Sequence, residues 1–104
     1  GDRLNRRLAT FGAIGRGPEG SMRVAFSDAD REARAYVRQL MGTAGLDVRT
    51  DAAGNLLGRR PGVDGTRPPL WMGSHVDSVP QGGDYDGPLG VLAAIEAVQT
   101  LADR

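Results

Sequence analysis

Leu70-Trp-Met-Gly-Ser-His-Val-Asp77, then Ser78-Val-Pro-Gln-Gly-Gly-Asp-Tyr-Asp-Gly87, then Pro88-Leu-Gly-Val-Leu-Ala-Ala-Ile95 form an apolar run, a glycine-rich turn and an apolar stretch in direct succession. The apolar run does not alternate, as expected of a strand covered on both faces, so a strand is predicted over about 70–74. Pro88 suits the first position of a helix, which is predicted over about 88–102. Only Glu96, Gln99 and Thr100 interrupt its apolar surface, and such a helix needs cover on more than one side. This strand–loop–helix order predicts an α/β fold with a mostly parallel or mixed sheet.

Working upstream, Leu46-Asp-Val-Arg-Thr50 alternates, Asp51-Ala-Ala-Gly54 turns, and Asn55 to Arg60 can return, predicting strands over about 46–50 and 55–60. Pro61 to Pro69 reads as a surface loop. Ser27-Asp-Ala-Asp30 has the form of a helix start, and Ala33, Tyr36, Val37, Leu40, Met41 and Ala44 make one stripe behind it. A helix over about 28–44 follows, ended by Gly45, with Asp30 and Arg34 on its outer face. Leu4, Leu8, Phe11 and Ile14 predict a first helix over about 3–13 with Asp2 as its cap. Gly12 to Gly20 is too rich in glycine for a regular element, and Arg23 beyond it reads as an exposed solubilising arginine or, alternatively, a substrate contact. Trp71 reads as core.

Composition narrows the function classes. The 104 residues carry thirteen basic and thirteen acidic side chains, so no electrostatic footprint points to nucleic acid or an anionic membrane. All the basic residues are arginine, which excludes Schiff-base chemistry and a Walker lysine. Cysteine is absent, excluding thiolate zinc sites and a cysteine nucleophile. With no apolar run long enough to span a membrane and no secretory h-region, a cytoplasmic location is expected. One domain, or a piece of one, is the range the length allows. The sequence stops at Arg104, where a strand–loop–helix unit would need its next parallel strand, so the N-terminal portion of a larger protein is expected.

His75 is the sole histidine and stands where the predicted strand ends, the place where open α/β sheets bind ligands. A metal-bound imidazole needs an acceptor for its second N–H, and Asp77 can be that acceptor. Asp86, in a glycine-flexed loop, can fold back onto the same ion. Taken alone, H-x-D is also the pattern of a surface ion pair or strand cap, and Asp84 and Asp86 beside glycines are also turn formers. The full succession from Gly73 to Leu92 favours the metal reading.

That succession resembles the metal-binding signature of the hydantoinase/carbamoylase-type amidases: N-carbamoyl-L-amino-acid hydrolases, β-ureidopropionases and allantoate amidohydrolases. They lie within the dinuclear zinc aminoacylase and carboxypeptidase clan. Met22 to Asp30 and Asp51 to Pro61 resemble the same family in order and spacing. The resemblance implies that residues 1–104 are the N-terminal portion of a three-layer, zinc-peptidase-like catalytic domain, without its remainder or the smaller lid and dimerisation domain. It implies two divalent metal ions, zinc foremost with manganese, cobalt or nickel as alternatives. His75 and Asp86 would be metal ligands, Asp86 bridging both ions, and Asp77 would belong to the catalytic set by orienting His75. A strained or cis peptide after Asp86 is also implied.

The implied reaction is hydrolysis of a linear C–N amide bond in an N-carbamoyl-amino-acid or ureido substrate, by a full-length homodimer. The family's Glu-Glu pair and two further histidines have no counterpart among these residues, where Glu19, Glu32 and Glu96 stand apart, so the chain alone is expected to be inactive. A related dinuclear zinc dipeptidase or aminoacylase is the alternative within the clan. A non-catalytic binding module on the same frame is the alternative outside it.

Overall fold

The computed structural model describes residues 1–104 and contains three helices and one two-stranded sheet, the mixed helix/strand fold expected. Helix α1 runs Asp2–Ala13, α2 Asp28–Thr43 and α3 Pro88–Ala102; strands β1 (Asp47–Thr50) and β2 (Leu56–Arg59) lie between α2 and α3.

Local signals account for most boundaries. Ser27 Oγ accepts a 3.1 Å hydrogen bond from the Asp30 amide, satisfying one of the unpaired N–H groups at the start of α2. The Asp30 carboxylate reaches back to accept from the Phe26 amide at 3.0 Å. That reach turns Asp30 inward, where it is buried, so it does not share an outer face with Arg34 as expected. Arg34 instead donates to the Gly54 carbonyl. Gly45, at φ +80°, closes the helix in the left-handed region as predicted. Asp2 does not cap α1: Gly1 is its N-cap, and Asp2 lies in the first turn, where the helix dipole favours a carboxylate.

Strands β1 and β2 pair antiparallel, Asp47 opposite Arg59 and Thr50 opposite Leu56. Asp51 builds the turn between them, its Oδ1 accepting from the Ala53 and Asn55 amides at 3.0 and 2.8 Å. The predicted strand over 70–74 does not form. The segment has no ladder partner, because β1 and β2 pair only with each other. The parallel or mixed sheet that strand was to join is therefore represented within this chain by the antiparallel hairpin alone. For the same reason Trp71 is not core: it is 72% exposed, between Leu70 and the half-exposed Met72.

The core joins all three helices: Phe11 from α1, Ala33, Val37 and Leu40 from α2, Ala44 just beyond it, and Val91, Leu92 and Ile95 from α3. The polar interruption of α3 faces α1. Glu96 receives Arg3 Nε at 2.9 Å and Arg7 Nη1 at 3.0 Å, and Arg7 also donates to Gln99. Leu89 and Leu101 of α3 stay exposed, so the cover expected all round that helix is only partial. No helix is long and apolar enough to cross a membrane.

Candidate metal site at His75

The site is held by two sets of close approaches. On one side the segment that carries His75 is stitched to the strip Ser21–Arg23. The Ser78 amide donates to the Arg23 carbonyl at 2.8 Å, and Ser78 Oγ accepts from the Arg23 amide at 3.1 Å and donates to Ser21 Oγ at 2.9 Å. The Ser21 amide donates to the Gly82 carbonyl at 2.9 Å, and the Gly82 amide returns the bond at 3.0 Å. On the other side the first turn of α3 passes directly under the segment. A Cβ at Gly90 would stand 2.8 Å from Ser74 Cβ, and one at Gly87 would stand 2.5 Å from His75 Cε1. The peptide after Asp86 is trans, like every other in the chain, and the unusual backbone falls instead on Gly87, at φ +90°.

This frame brings together the three residues singled out by their spacing. His75 Nδ1 lies 3.2 Å from Asp77 Oδ1 and 3.1 Å from the Asp77 carbonyl oxygen. His75 Nε2, the other ring nitrogen, lies 3.7 Å from Asp86 Oδ2. The imidazole is half exposed and the Asp86 carboxylate is 91% exposed, so both face solvent. His75 and Asp77 also line a groove of about 470 Å³, whose apolar lining includes Met41, Val91 and Ile95.

The donor set is one nitrogen and one carboxylate oxygen, the type that suits zinc and other divalent first-row ions. Two metal–ligand bonds of about 2.0–2.2 Å span a donor–donor gap of up to about 4.4 Å, so the 3.7 Å between His75 Nε2 and Asp86 Oδ2 is short enough for one ion to join them. With Nδ1 engaged by Asp77, Nε2 is the nitrogen left to ligate. No three His, Asp or Glu side chains gather into a fuller cage.

Asp84 does not join the site. It takes both oxygens to Arg16 Nη1, at 2.5 and 2.6 Å. Glu19 and Glu96 are likewise occupied, by Gln81 and by the α1 arginines.

Arg23 departs most from expectation. It is fully buried, not a solvated arginine, and its guanidinium carbon lies 4.2 Å from the Phe11 ring centroid. Its Nε donates to the Val76 carbonyl at 2.7 Å and its Nη1 to the Ile14 carbonyl at 2.9 Å. Burial pulls its pKa below the ordinary arginine value, opposed by the charges of Asp84, Asp30 and Asp77. The strip inverts the usual pattern: Ser21 and Arg23 point inward while Met22 and Val24 point outward. An alternation of polar and apolar residues read the ordinary way therefore assigns Arg23 to the wrong face.

No family model matches the chain. It is 47% identical, over 100% of its own length and 26% of the relative's, to an N-carbamoyl-L-amino acid amidohydrolase of Geobacillus stearothermophilus. Over 76% of its length and 17% of the relative's it is 49% identical to a ureidoglycolate hydrolase of Arabidopsis thaliana. Its fold superposes with a TM-score of 0.94, at 46% identity, on a hydantoinase/carbamoylase family amidase of Burkholderia ambifaria, covering 98% of this chain and 25% of that one. The chain thus spans about a quarter or less of the length of these relatives.

Proposed function

Since this chain belongs to the hydantoinase/carbamoylase amidases, we propose that it is the N-terminal, metal-binding portion of a hydrolase that cleaves a linear C–N amide bond in an N-carbamoyl-amino-acid or ureido substrate. His75, through Nε2, and Asp86, as the carboxylate common to both ions, would hold the divalent metal, zinc foremost. Asp77 accepts from Nδ1–H, which fixes the ring tautomer and makes Nε2 a better donor. When bound, the metal pair supplies Lewis-acid polarisation of the substrate carbonyl.

The chain's own residues prepare that site before any ion arrives. Gly87 lets α3 approach closely enough for Asp86 to reach Nε2, and Ser78 and Arg23 keep His75 and Asp77 on the side of Asp86. A hydrolytic site also needs a general base and further ligands. With no second histidine and no adjacent glutamates among residues 1–104, those groups are assigned to other parts of a longer protein, and the chain alone is assigned no turnover.

The observation that carries this reading is the convergence of Nε2 on Asp86 with Nδ1 held by Asp77, in a chain 47% identical to a carbamoyl amidohydrolase. The test is a Zn²⁺ titration of the chain and of His75→Ala against a chromogenic chelator. The wild type is expected to bind zinc weakly and His75→Ala not at all; equal binding by both would remove the assignment.

A further inference from the structure

We propose that Arg23 is a positioning residue for the metal site, holding His75 and Asp77 in place through the Val76 carbonyl that lies between them. The inference rests on the metal assignment of His75 above and adds a residue that touches neither the ion nor its ligands.

Space-filling does not explain this arginine. Its guanidinium is wholly buried and its two hydrogen bonds go to neutral carbonyl oxygens, those of Val76 and Ile14, while Nη2 is buried with no partner at all. The charges of Asp84, Asp30 and Asp77 and the face of Phe11 offset part of the cost of burying the guanidinium, but no carboxylate bonds to it, and an apolar side chain of similar volume fills such a site at lower cost. What an apolar side chain cannot do is fasten two carbonyls at once with a rigid planar fork. Those carbonyls belong to Ile14, just after α1, and to Val76, so the fork ties the site segment to the helical core.

The placement along the segment matters as much. Arg23 takes Val76 through its side chain and Ser78 through both its own backbone groups. Burial alternates along the segment: Val76 packs against the core and Ser78 is buried, while His75 and Asp77 are about half exposed. Fixing Val76 and Ser78 against Arg23 leaves His75 and Asp77 turned the other way, toward Asp86.

The test compares Arg23→Met and Arg23→Lys with Ser27→Ala, which removes a hydrogen bond at the start of α2, outside the frame of the site. Thermal melts identify the variants that keep the fold. Two readouts follow: Zn²⁺ affinity by chelator competition, and the NOE between the His75 ring Hε1 and the Gly87 α-protons, which reports the ring's seat on that glycine. The folded Arg23 variants are expected to lose about 10-fold or more in affinity, together with the NOE, while Ser27→Ala keeps both. A folded Arg23 variant that keeps both, or a Ser27→Ala that loses both equally, overturns the inference. Exchange of the Arg23 Nε–H in the wild-type chain decides without any variant: protection supports the anchor, and exchange at the rate of a free arginine overturns it. A wild-type chain that binds no Zn²⁺ overturns the metal assignment instead, and the NOE alone then decides on Arg23.

Discussion

Gly87 lies directly against the His75 ring: a Cβ there would stand 2.5 Å from Cε1, 2.6 Å from Nδ1 and 2.6 Å from the His75 carbonyl oxygen. The residue also has φ +90°, which L side chains rarely adopt. Both constraints act at the N-cap of α3, so the start of that helix and the seat of the imidazole are one structural decision. Gly87→Ala is expected to cost about 1–3 kcal/mol from backbone strain, with the clash against His75 in addition. It should also displace the ring from Asp86. Urea denaturation and Zn²⁺ titration check both effects. Gly83→Ala, where an added Cβ meets nothing within 4 Å, should change neither.

What was legible in the sequence was local. Ser27, Gly45 and Pro88 mark helix ends by their own backbone chemistry, and the Asp51 turn needs only Asp51, Ala53 and Asn55, so these elements form as predicted. What was illegible depends on partners far along the chain. A strand exists only if a neighbour pairs with it, and the apolar character of Leu70 to Gly73 says nothing about whether one is there. Arg23 is buried because the carbonyls of Ile14 and Val76, 9 and 53 residues away, receive it. At His75 only the neighbour was legible: the H-x-D spacing sets Asp77 beside the ring, whereas the approach of Asp86, farther along the chain, also needs Gly87 against the ring and the contacts of Ser78 and Val76 with Arg23.

The cap of α2 gives a prediction of ordinary size. Ser27→Ala removes the acceptor of the Asp30 amide and should destabilise the chain by about 1 kcal/mol. The denaturation midpoint should fall with the slope unchanged, since the cap alters stability and not the surface exposed on unfolding.

Glu96 sets a pH dependence. Hydrogen bonds from Arg3, with the charges of Arg3 and Arg7, hold its carboxyl below the ordinary value of 4.5. A pKa lower in the folded state means the contribution is complete above about pH 4.5 and is lost as pH falls through the folded value. The stability gap between wild type and Glu96→Gln should therefore be full at neutral pH and close in acid. Because the group is partly exposed, the gap should be about 1 kcal/mol or less and should narrow in high salt. Melts across pH at two salt concentrations check both statements.

Leu70, Trp71 and Met72 form an exposed apolar strip on a segment whose backbone pairs with no strand, and Leu89 and Leu101 are exposed on α3. Unpaired extended backbone and large apolar patches favour self-association. A chain of these 104 residues is expected to be only marginally stable, at or below about 5 kcal/mol, the low end for ordinary domains. It should also associate as its concentration rises. Trp71→Lys should reduce that association in sedimentation velocity with little effect on the melt, because the ring is 72% exposed and supports no core. A cooperative, reversible melt of a strictly monomeric wild type at high temperature would contradict this.

Asp86 and Asp77 should separate cleanly when each is changed. Asp86→Ala leaves the imidazole as the only donor of the pair, so zinc binding by the chain should vanish; in a longer protein carrying the rest of the site, the metal pair and turnover should go with it. Asp77→Asn keeps an oxygen that can accept from His75 Nδ1–H, and the Asp77 backbone carbonyl remains 3.1 Å from the same nitrogen. It removes the charge that strengthens Nε2 as a donor but not the ring's orientation. The loss should therefore stay near the lower end of the roughly 10–100-fold range for partners of a metal-bound histidine. The 104-residue chain itself should hydrolyse no N-carbamoyl amino acid in either form, because neither change adds or removes a general base. Metal content by atomic absorption and turnover of an N-carbamoyl amino acid by the longer protein are the measurements. Two bound metals with normal turnover in Asp86→Ala would refute the bridging role, and a complete loss in Asp77→Asn would make Asp77 a ligand.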